Sequence, residues 1–305
     1  MSASIGVAVG DWTRRPEDLL READTAMYRA KAAGRNRYQY FEEAMHLEAV
    51  RQLHLEGEIR RALERGEFVL HYQPVVRLQD QVPVEMEALI RWRHPRDGLR
   101  LPAEFLEAAE RAGLGPTLGA WVLGEACRQA RAWATRIPQS PVVVSVNLSA
   151  SQVQDPQLPD RLTAAFQTTG ASPRTLRLEV SERVLASLPP EALHRLGRLG
   201  SLELGVHVDD FHNSLAPDLL QWLPIRALKV PWAVISTSPE PRQAAHRLLT
   251  GARDRRIPVV VKGVEDPQAL EEVAAMGFEY AEGFAIARPM DPEAATAYLL
   301  GVNGR

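Results

Sequence analysis

From Phe68 onward, short Val/Leu/Ile-rich runs alternate with longer stretches whose apolar residues recur at helical spacing. The runs FVLHYQPVV, VEMEALIRW, VVVSVNLS, LRLEVSE, LGVHVDDF, RALKVP, IPVVVKGVE and YAEGFAI predict eight strands. Between them lie helical patterns such as 117–134, with Leu118, Trp121, Val122 and Trp133, and 189–199, opened by Pro189 and Pro190. Repeated strand–helix alternation implies a parallel sheet, and eight strands predict a closed, TIM-like (β/α)8 barrel of the α/β class. The second run alternates apolar and polar residues as a half-covered strand does, so one irregular or antiparallel strand is expected.

The first 41 residues read differently. SASIGVAV clusters apolar residues as a buried strand does. Pro16 then opens an amphipathic helix carrying Leu19, Leu20, Ala23, Ala26, Met27 and Ala30, which Gly34 closes, and a short YQYF strand follows. One helix and two short strands cannot bury a core of their own, so further chain is expected upstream. Residues 42–66 predict a second long helix, with Met45, Leu47, Val50, Leu53, Leu55, Ile59 and Leu63 at its apolar positions and Gly66 at its end. It reads as a rigid connector. The expected division is a remnant over 1–41, the start of the connecting helix over 42–51, and the barrel over 52–305.

Composition narrows the classes without choosing among them. Of 305 residues, 45% are hydrophobic and 25% charged, which is ordinary globular composition. A net charge of −3 with no block of like charge argues against binding DNA by phosphate neutralisation, while leaving room for a small anionic ligand in a pocket. The single cysteine, Cys127, excludes an internal disulfide and any multi-cysteine metal site, and fits a reducing cytoplasm. No signal segment opens the sequence and no apolar run approaches membrane-spanning length, so no membrane contact is expected within this chain.

The candidate chemistry lies in the placement of polar residues. Glu87, Asn147, Glu179, Asp209 with Asp210, Lys229, Lys262 and Glu282 each fall at or near the C-terminal end of a separate predicted strand. In a β/α barrel those ends converge on one face, where substrates bind. One acidic strand end alone is more simply a helix N-cap; six or seven in succession are not. Grouped carboxylates with an amide oxygen suit Mg²⁺ or Mn²⁺ rather than zinc. Paired Asp209 and Asp210 could bridge two such ions, the arrangement that clamps both oxygens in phosphodiester hydrolysis. Lys229 could orient a water or neutralise a phosphate.

MEALIRWRHP, followed in order by LPAEFLEAAERAGL, VSVNLS, LEVSE, HVDDF, LKV, KGVED and ARPM, resembles the EAL domain, a family that cleaves cyclic di-GMP to the linear dinucleotide pGpG. The resemblance covers roughly residues 52–300. It implies that Glu87, Asn147, Glu179 and Asp209 match the family's first metal site, Asp210 its second, and Lys229 its catalytic lysine. Glu87, Lys229, Asp209 and Asp210 would then carry any catalysis, and Gln73 and Arg91 match nucleotide-contacting positions. The segments SIGVAV and LLREADTAMYRAKAAGRNRYQYF resemble the closing part of a GGDEF diguanylate cyclase domain, over about residues 2–41, without the GGDEF signature itself.

Four positions depart from the EAL pattern. Lys262 stands where the family carries a glutamate ligand of the second metal, changing the local charge by two units; a protonated lysine cannot coordinate a metal. Lys262 therefore stands in for an ion or swings to solvent on its flexible stem. Pro231 replaces an aspartate, and Glu282 replaces a glutamine and offers Lys262 an ion-pair partner. The loop 211–217, beginning Phe211-His212, lacks both usual glycines, although its usual glutamate partner, Glu265, is retained. His207 and His212 read as hydrogen-bonded structural residues.

Three readings follow. The leading one is a degenerate EAL domain that binds cyclic di-GMP, a protein partner through loop 211–217, or both, with little or no hydrolysis. The second is an active Mg²⁺- or Mn²⁺-dependent phosphodiesterase in which Glu282 supplies the missing ligand. The third is a protein-interaction scaffold without nucleotide. A homodimer is the family expectation.

Overall fold

The computed structural model describes residues 3–10, 14–138, 142–212, 215, 219 and 222–303. At the N-terminus β1 (Ile5–Val7) pairs in parallel with β2 (Tyr38–Tyr40), and α1 (Pro16–Ala32) packs against both. The contact is close because residue 6 is glycine: a Cβ there would lie 1.8 Å from the Ala23 carbonyl oxygen. Ala26 and Ala30 are buried by this packing, while Leu20, Tyr28 and Tyr38 stay exposed, in keeping with a unit too small to cover itself.

The connecting helix α2 (Glu43–Arg65) ends on Gly66 in the left-handed conformation, φ 68°, as its sequence predicts. Its final turns set Leu55, Ile59, Ala62 and Leu63 against the barrel core. Polar contacts reinforce the joint: Arg96 donates to Glu58 Oε1 at 2.6 Å, and the buried Trp92 indole donates to Glu67 Oε2 at 3.0 Å.

Strand β3 (Phe68–Arg77) turns directly into β4 (Val82–His94), and so short a link permits only antiparallel pairing. A three-residue β5 (Gly98–Arg100) extends the edge of β4. The remaining strands are β6 (Val143–Asn147), β7 (Leu176–Ser181), β8 (Gly205–Asp209), β9 (Ile225–Pro231), β10 (Val259–Lys262) and β11 (Tyr280–Glu282). They run in the order β3-β11-β10-β9-β8-β7-β6-β4, and the β3–β4 pairing closes the eight-stranded barrel. The antiparallel strand is β3, against both of its neighbours, and not the second run whose alternation suggested it. Helices predicted over 117–134 and 189–199 occupy Gly115–Arg136 and Pro190–Arg198.

Two apolar layers hold this arrangement. The large core between strands and helices includes Met86, Trp92, Trp133, Val144, Leu178 and Val208, and Cys127 is buried within it as a packed helix residue. A second cluster, Val75, Ala227 and Val260 with Val84 and Tyr280, is set apart from the first. Val75, Ala227 and Val260 lie two residues below Gln73, Lys229 and Lys262 on the same strand faces, so they plug the floor of the barrel. Polar side chains are thereby left at its mouth. Among the described residues no helix is long and apolar enough to cross a membrane.

Candidate functional site

Alternation along β4 puts Glu85, Glu87, Leu89 and Arg91 on one face. The register of neighbouring strands sets Gln73 across from Glu87, and Asn147 beside Glu179, which is itself beside His207. At the centre stands the Lys229 ammonium, fully buried. It lies 2.8 Å from Glu87 Oε2, 3.1 Å from Glu282 Oε2, 3.6 Å from Glu85 Oε1 and 2.5 Å from Glu179 Oε1. The Glu179 contact is short but off the line of a hydrogen bond, and both Glu179 oxygens otherwise lack partners. Asn147 donates from Nδ2 to Glu87 Oε1 at 2.8 Å.

Four buried carboxylates around one ammonium cannot all ionise cheaply. Burial raises the pKa of Glu87, but Lys229 and hydrogen bonds from Glu282, Lys229 and Asn147 outweigh it and bring it to about 2. Glu85 also falls to about 2, since His207 and Lys229 more than offset its burial. Glu179 is pushed up to about 8 by burial and by the charge on Glu87. Glu282 rises well above the carboxylate range for the same two reasons. Burial disfavours the Lys229 charge, but the surrounding carboxylates hold it protonated. Without metal, burial and the neighbouring carboxylates thus favour the protonated forms of Glu179 and Glu282.

A second cluster adjoins the first. Lys262 Nζ lies 2.7 and 2.8 Å from the two oxygens of Asp209 and 2.7 Å from Asp210 Oδ1. Successive residues of an extended strand point to opposite faces, but Asp210 adopts φ 47°, and this turn lets both carboxylates meet one cation. The ammonium therefore stands between the two aspartates and is not swung out to solvent. The Lys262–Glu282 ion pair expected from the sequence is not formed. Lys262 takes the two adjacent aspartates, and Glu282 faces Lys229 instead.

The remaining expected positions frame the mouth. Gln73 is buried and donates to the Ala287 carbonyl at 3.0 Å. Arg91 is buried, donates to the Ile90 carbonyl at 2.9 Å, and forms no ion pair among the described residues. A buried guanidinium without a carboxylate suits an incoming anion. Pro231 ends β9 as the register partner of Lys262 and opens the helix Trp232–Ser236. His212 is exposed, with Nδ1 2.6 Å from the Asp210 carbonyl oxygen. Of loop 211–217, Asn213, Ser214, Ala216 and Pro217 lie outside the described residues. Glu265 is exposed, and the loop is held instead by buried Glu182, whose carboxylate accepts from the backbone of His212 at 2.6 Å and of Leu215 at 3.1 Å.

Sequence reasoning passed over Glu182, Glu85 and Ser145. Glu85 carried a usable signal, because it stands two residues before Glu87 and must share its face. His207 was expected to be hydrogen-bonded, yet its Nδ1 has no hydrogen bond and faces Glu85 Oε1 at 3.5 Å.

The donor set distinguishes two possible ion positions. Glu87, Asn147 and Glu179 converge with unpartnered oxygens on Glu179, a set of hard oxygen donors that fits one divalent ion. At Asp209 and Asp210 the ammonium of Lys262 stands between the carboxylates and its charge competes with an ion there, as that of Lys229 does 2.8 Å from Glu87 and 2.5 Å from Glu179.

Comparison with known proteins agrees with this geometry. The family profile of the EAL domain matches residues 56–289, and that of the diguanylate cyclase GGDEF domain matches residues 1–37. The bifunctional diguanylate cyclase/cyclic di-GMP phosphodiesterase MucR of Pseudomonas aeruginosa is 37% identical over 299 residues, covering 96% of this chain and 43% of MucR. The cyclic di-GMP phosphodiesterase NbdA of the same organism is 34% identical over 306 residues, covering 98% of this chain and 39% of NbdA. The chain thus spans less than half the length of either relative. Among solved structures, the PaMucR phosphodiesterase in complex with c-di-GMP superposes with a TM-score of 0.74 at 33% identity, over 79% of this chain and 99% of that one. The FimX EAL domain from Pseudomonas aeruginosa bound to c-di-GMP superposes with a TM-score of 0.67 over 77% of this chain and 96% of that one; at 24% identity it supports the fold alone. The chain belongs to the EAL domain family, and a fragment of a GGDEF domain precedes its barrel.

Proposed function

We propose that this EAL domain binds cyclic di-GMP at the barrel mouth and hydrolyses it little or not at all. The observation that carries the reading is the Lys262 ammonium between Asp209 and Asp210. It removes one half of the two-ion clamp that phosphodiester cleavage uses. Binding is less dependent on that ion, because contacts to phosphate and bases come from several residues. Arg91 and Gln73 are the nucleotide-contacting groups in this reading. Glu87, Asn147 and Glu179 would hold a single Mg²⁺ or Mn²⁺, which when bound would polarise a phosphoryl oxygen. Lys229 would neutralise developing charge on the phosphate if any cleavage remains, and Glu87, Asp209 and Asp210 would share that work.

The proposed organisation is a GGDEF remnant over 1–41, the start of the connecting helix over 42–51 and the barrel over 52–305, in a cytoplasmic signalling protein. Loop 211–217, anchored by Glu182, is the proposed contact for a protein partner or for a second copy of the chain.

An active phosphodiesterase is the competing reading, favoured by the fit of one ion at Glu87, Asn147 and Glu179 and by the names of MucR and NbdA. Glu282 would have to replace the missing ligand, but it faces Lys229, and burial beside Glu87 disfavours its ionised form. Chromatography of cyclic di-GMP incubated with protein and Mn²⁺, with calorimetry of binding, separates the readings. Heat of binding with intact ligand supports the proposal. Turnover abolished by Glu87→Ala supports the enzyme, and no binding at high ligand concentration leaves the scaffold.

A further inference from the structure

Beneath the mouth lies a cluster in which the EAL pattern gives a role to Glu179 alone. Glu85, Glu179 and His207 each offer one ligand atom, and these atoms all lie within 4.8 Å of one another. The three residues are 7%, 1% and 4% exposed, and Ser145 beside them is completely buried. Glu85 Oε1, both Glu179 oxygens, His207 Nδ1 and Ser145 Oγ lack well-formed hydrogen bonds, and the two carboxylates share the Lys229 ammonium, 2.5 Å from Glu179 Oε1 and 3.6 Å from Glu85 Oε1. Buried polar groups are ordinarily paired, because leaving one without a partner forfeits its hydration with nothing in return. Two carboxylates and an imidazole within 4.8 Å of one another, served by one ammonium on the carboxylate side only, leave a place for a shared cation.

The spacing identifies the kind of partner. Glu85 Oε1 and His207 Nδ1 are 3.5 Å apart, beyond a good hydrogen bond. Adjacent ligands of a tetrahedral ion with bonds of about 2.1 Å are separated by roughly 3.4 Å. The charge agrees, since one ammonium faces Glu85, Glu87, Glu179 and Glu282. The donor chemistry differs from that of the mouth: an imidazole nitrogen with two carboxylates selects a first-row transition metal over Mg²⁺.

We propose that Glu85, Glu179 and His207 form a buried transition-metal site, of the Zn²⁺ or Co²⁺ class, under the barrel mouth. Ser145 stands beside it as a hydroxyl that can hydrogen-bond a ligating carboxylate. Lys229 keeps Glu87 and Glu282 as its partners when the ion takes the other two carboxylates. The site shares only Glu179 with the oxygen-donor set above it, and it does not depend on whether the mouth hydrolyses nucleotide.

The test is titration of chelator-treated, tag-free protein with Co²⁺, followed by visible absorption. One equivalent with an intense four-coordinate spectrum, displaced by Zn²⁺, is expected. His207→Gln and Glu85→Gln should each weaken binding by more than the roughly 10- to 100-fold typical of losing an outer-shell partner. Asp80→Asn, in the exposed turn between β3 and β4, should leave the spectrum unchanged. Zinc X-ray absorption on the wild-type protein reads the same contact without a variant, and one imidazole among oxygen neighbours is expected. An all-oxygen shell, a spectrum untouched by His207→Gln in folded protein, or no Co²⁺ uptake would overturn the site. The last result would mean that water satisfies these groups.

Discussion

Replacing Lys262 by glutamate tests whether its ammonium holds a cation position. In the wild-type protein, Asp209, Asp210 and Lys262 sum to −1; Lys262→Glu brings the trio to −3. Each Lys262–carboxylate contact, at 2.7 Å, corresponds to about 6 kcal/mol of Coulomb attraction at an effective dielectric near 20, before desolvation is subtracted. Much of that gross attraction is offset, because the Lys262 side chain is 26% exposed and that of Asp210 53%. A carboxylate can also take up a proton rather than bear the full repulsion. The net loss without metal should therefore be about 2–4 kcal/mol, smaller than the gross Coulomb value. For a domain of this size that lowers Tm by roughly 5–10 °C. Mn²⁺ should reverse the loss in the variant, by about 2.7 kcal/mol at 100 times its Kd, because three carboxylates then form an ion site. Melting curves with chelator and with Mn²⁺, for both proteins, make the comparison. A variant that melts like the wild-type protein and gains no extra stability from Mn²⁺ would refute the role assigned to Lys262.

Further outcomes follow from the same geometry. Glu179, pushed up to about 8, binds a proton in the folded state that it lacks when unfolded between its ordinary 4.5 and about 8, so metal-free stability should fall as pH rises through that window. The Glu179 contribution to the slope should be at most about 1.4 kcal/mol per pH unit, with Glu282 adding in the same direction, and Glu179→Gln should reduce the slope; a Tm that climbs from pH 5 to 8 would contradict the protonated state. Glu85 and Glu87, both at about 2, contribute stability above 4.5 that is lost as pH falls toward 2, which places the optimum of the chelated protein near the bottom of the Glu179 window. Arg91→Met should weaken cyclic di-GMP binding by roughly 10- to 100-fold in calorimetry while leaving Tm level or higher, since the guanidinium is buried without an ion-pair partner. Glu182→Ala should free the backbone amides of His212 and Leu215, costing about 1–3 kcal/mol for each one left buried, and raise their hydrogen exchange selectively.

The barrel was legible because its signals are local and repeated. Eight apolar runs, helix-opening prolines at 189 and 190, and Gly66 at the end of α2 each specify an element without tertiary information. The gathering of Glu87, Asn147, Glu179, Asp209 and Lys229 was also legible, because barrel closure brings strand ends together. What escaped was pairing. The partner of Lys262 was misjudged because Asp210 leaves the extended conformation, which puts two carboxylates within reach where strand alternation allows one. The antiparallel strand was assigned to the wrong run because alternation reports burial, whereas the direction of β3 is imposed by the short turn to β4. Glu85 was passed over and His207 read as a structural residue because each looks ordinary alone, and only register and closure set them face to face.

The most direct test of the central claim is the amount of linear dinucleotide formed when stoichiometric protein, cyclic di-GMP and saturating Mn²⁺ are incubated together and resolved by chromatography. With Lys262 between Asp209 and Asp210, the ligand should remain intact over many hours while binding to the protein. Rapid conversion to pGpG, abolished by Glu87→Ala, would show that the barrel cuts without a second ion and would contradict the account.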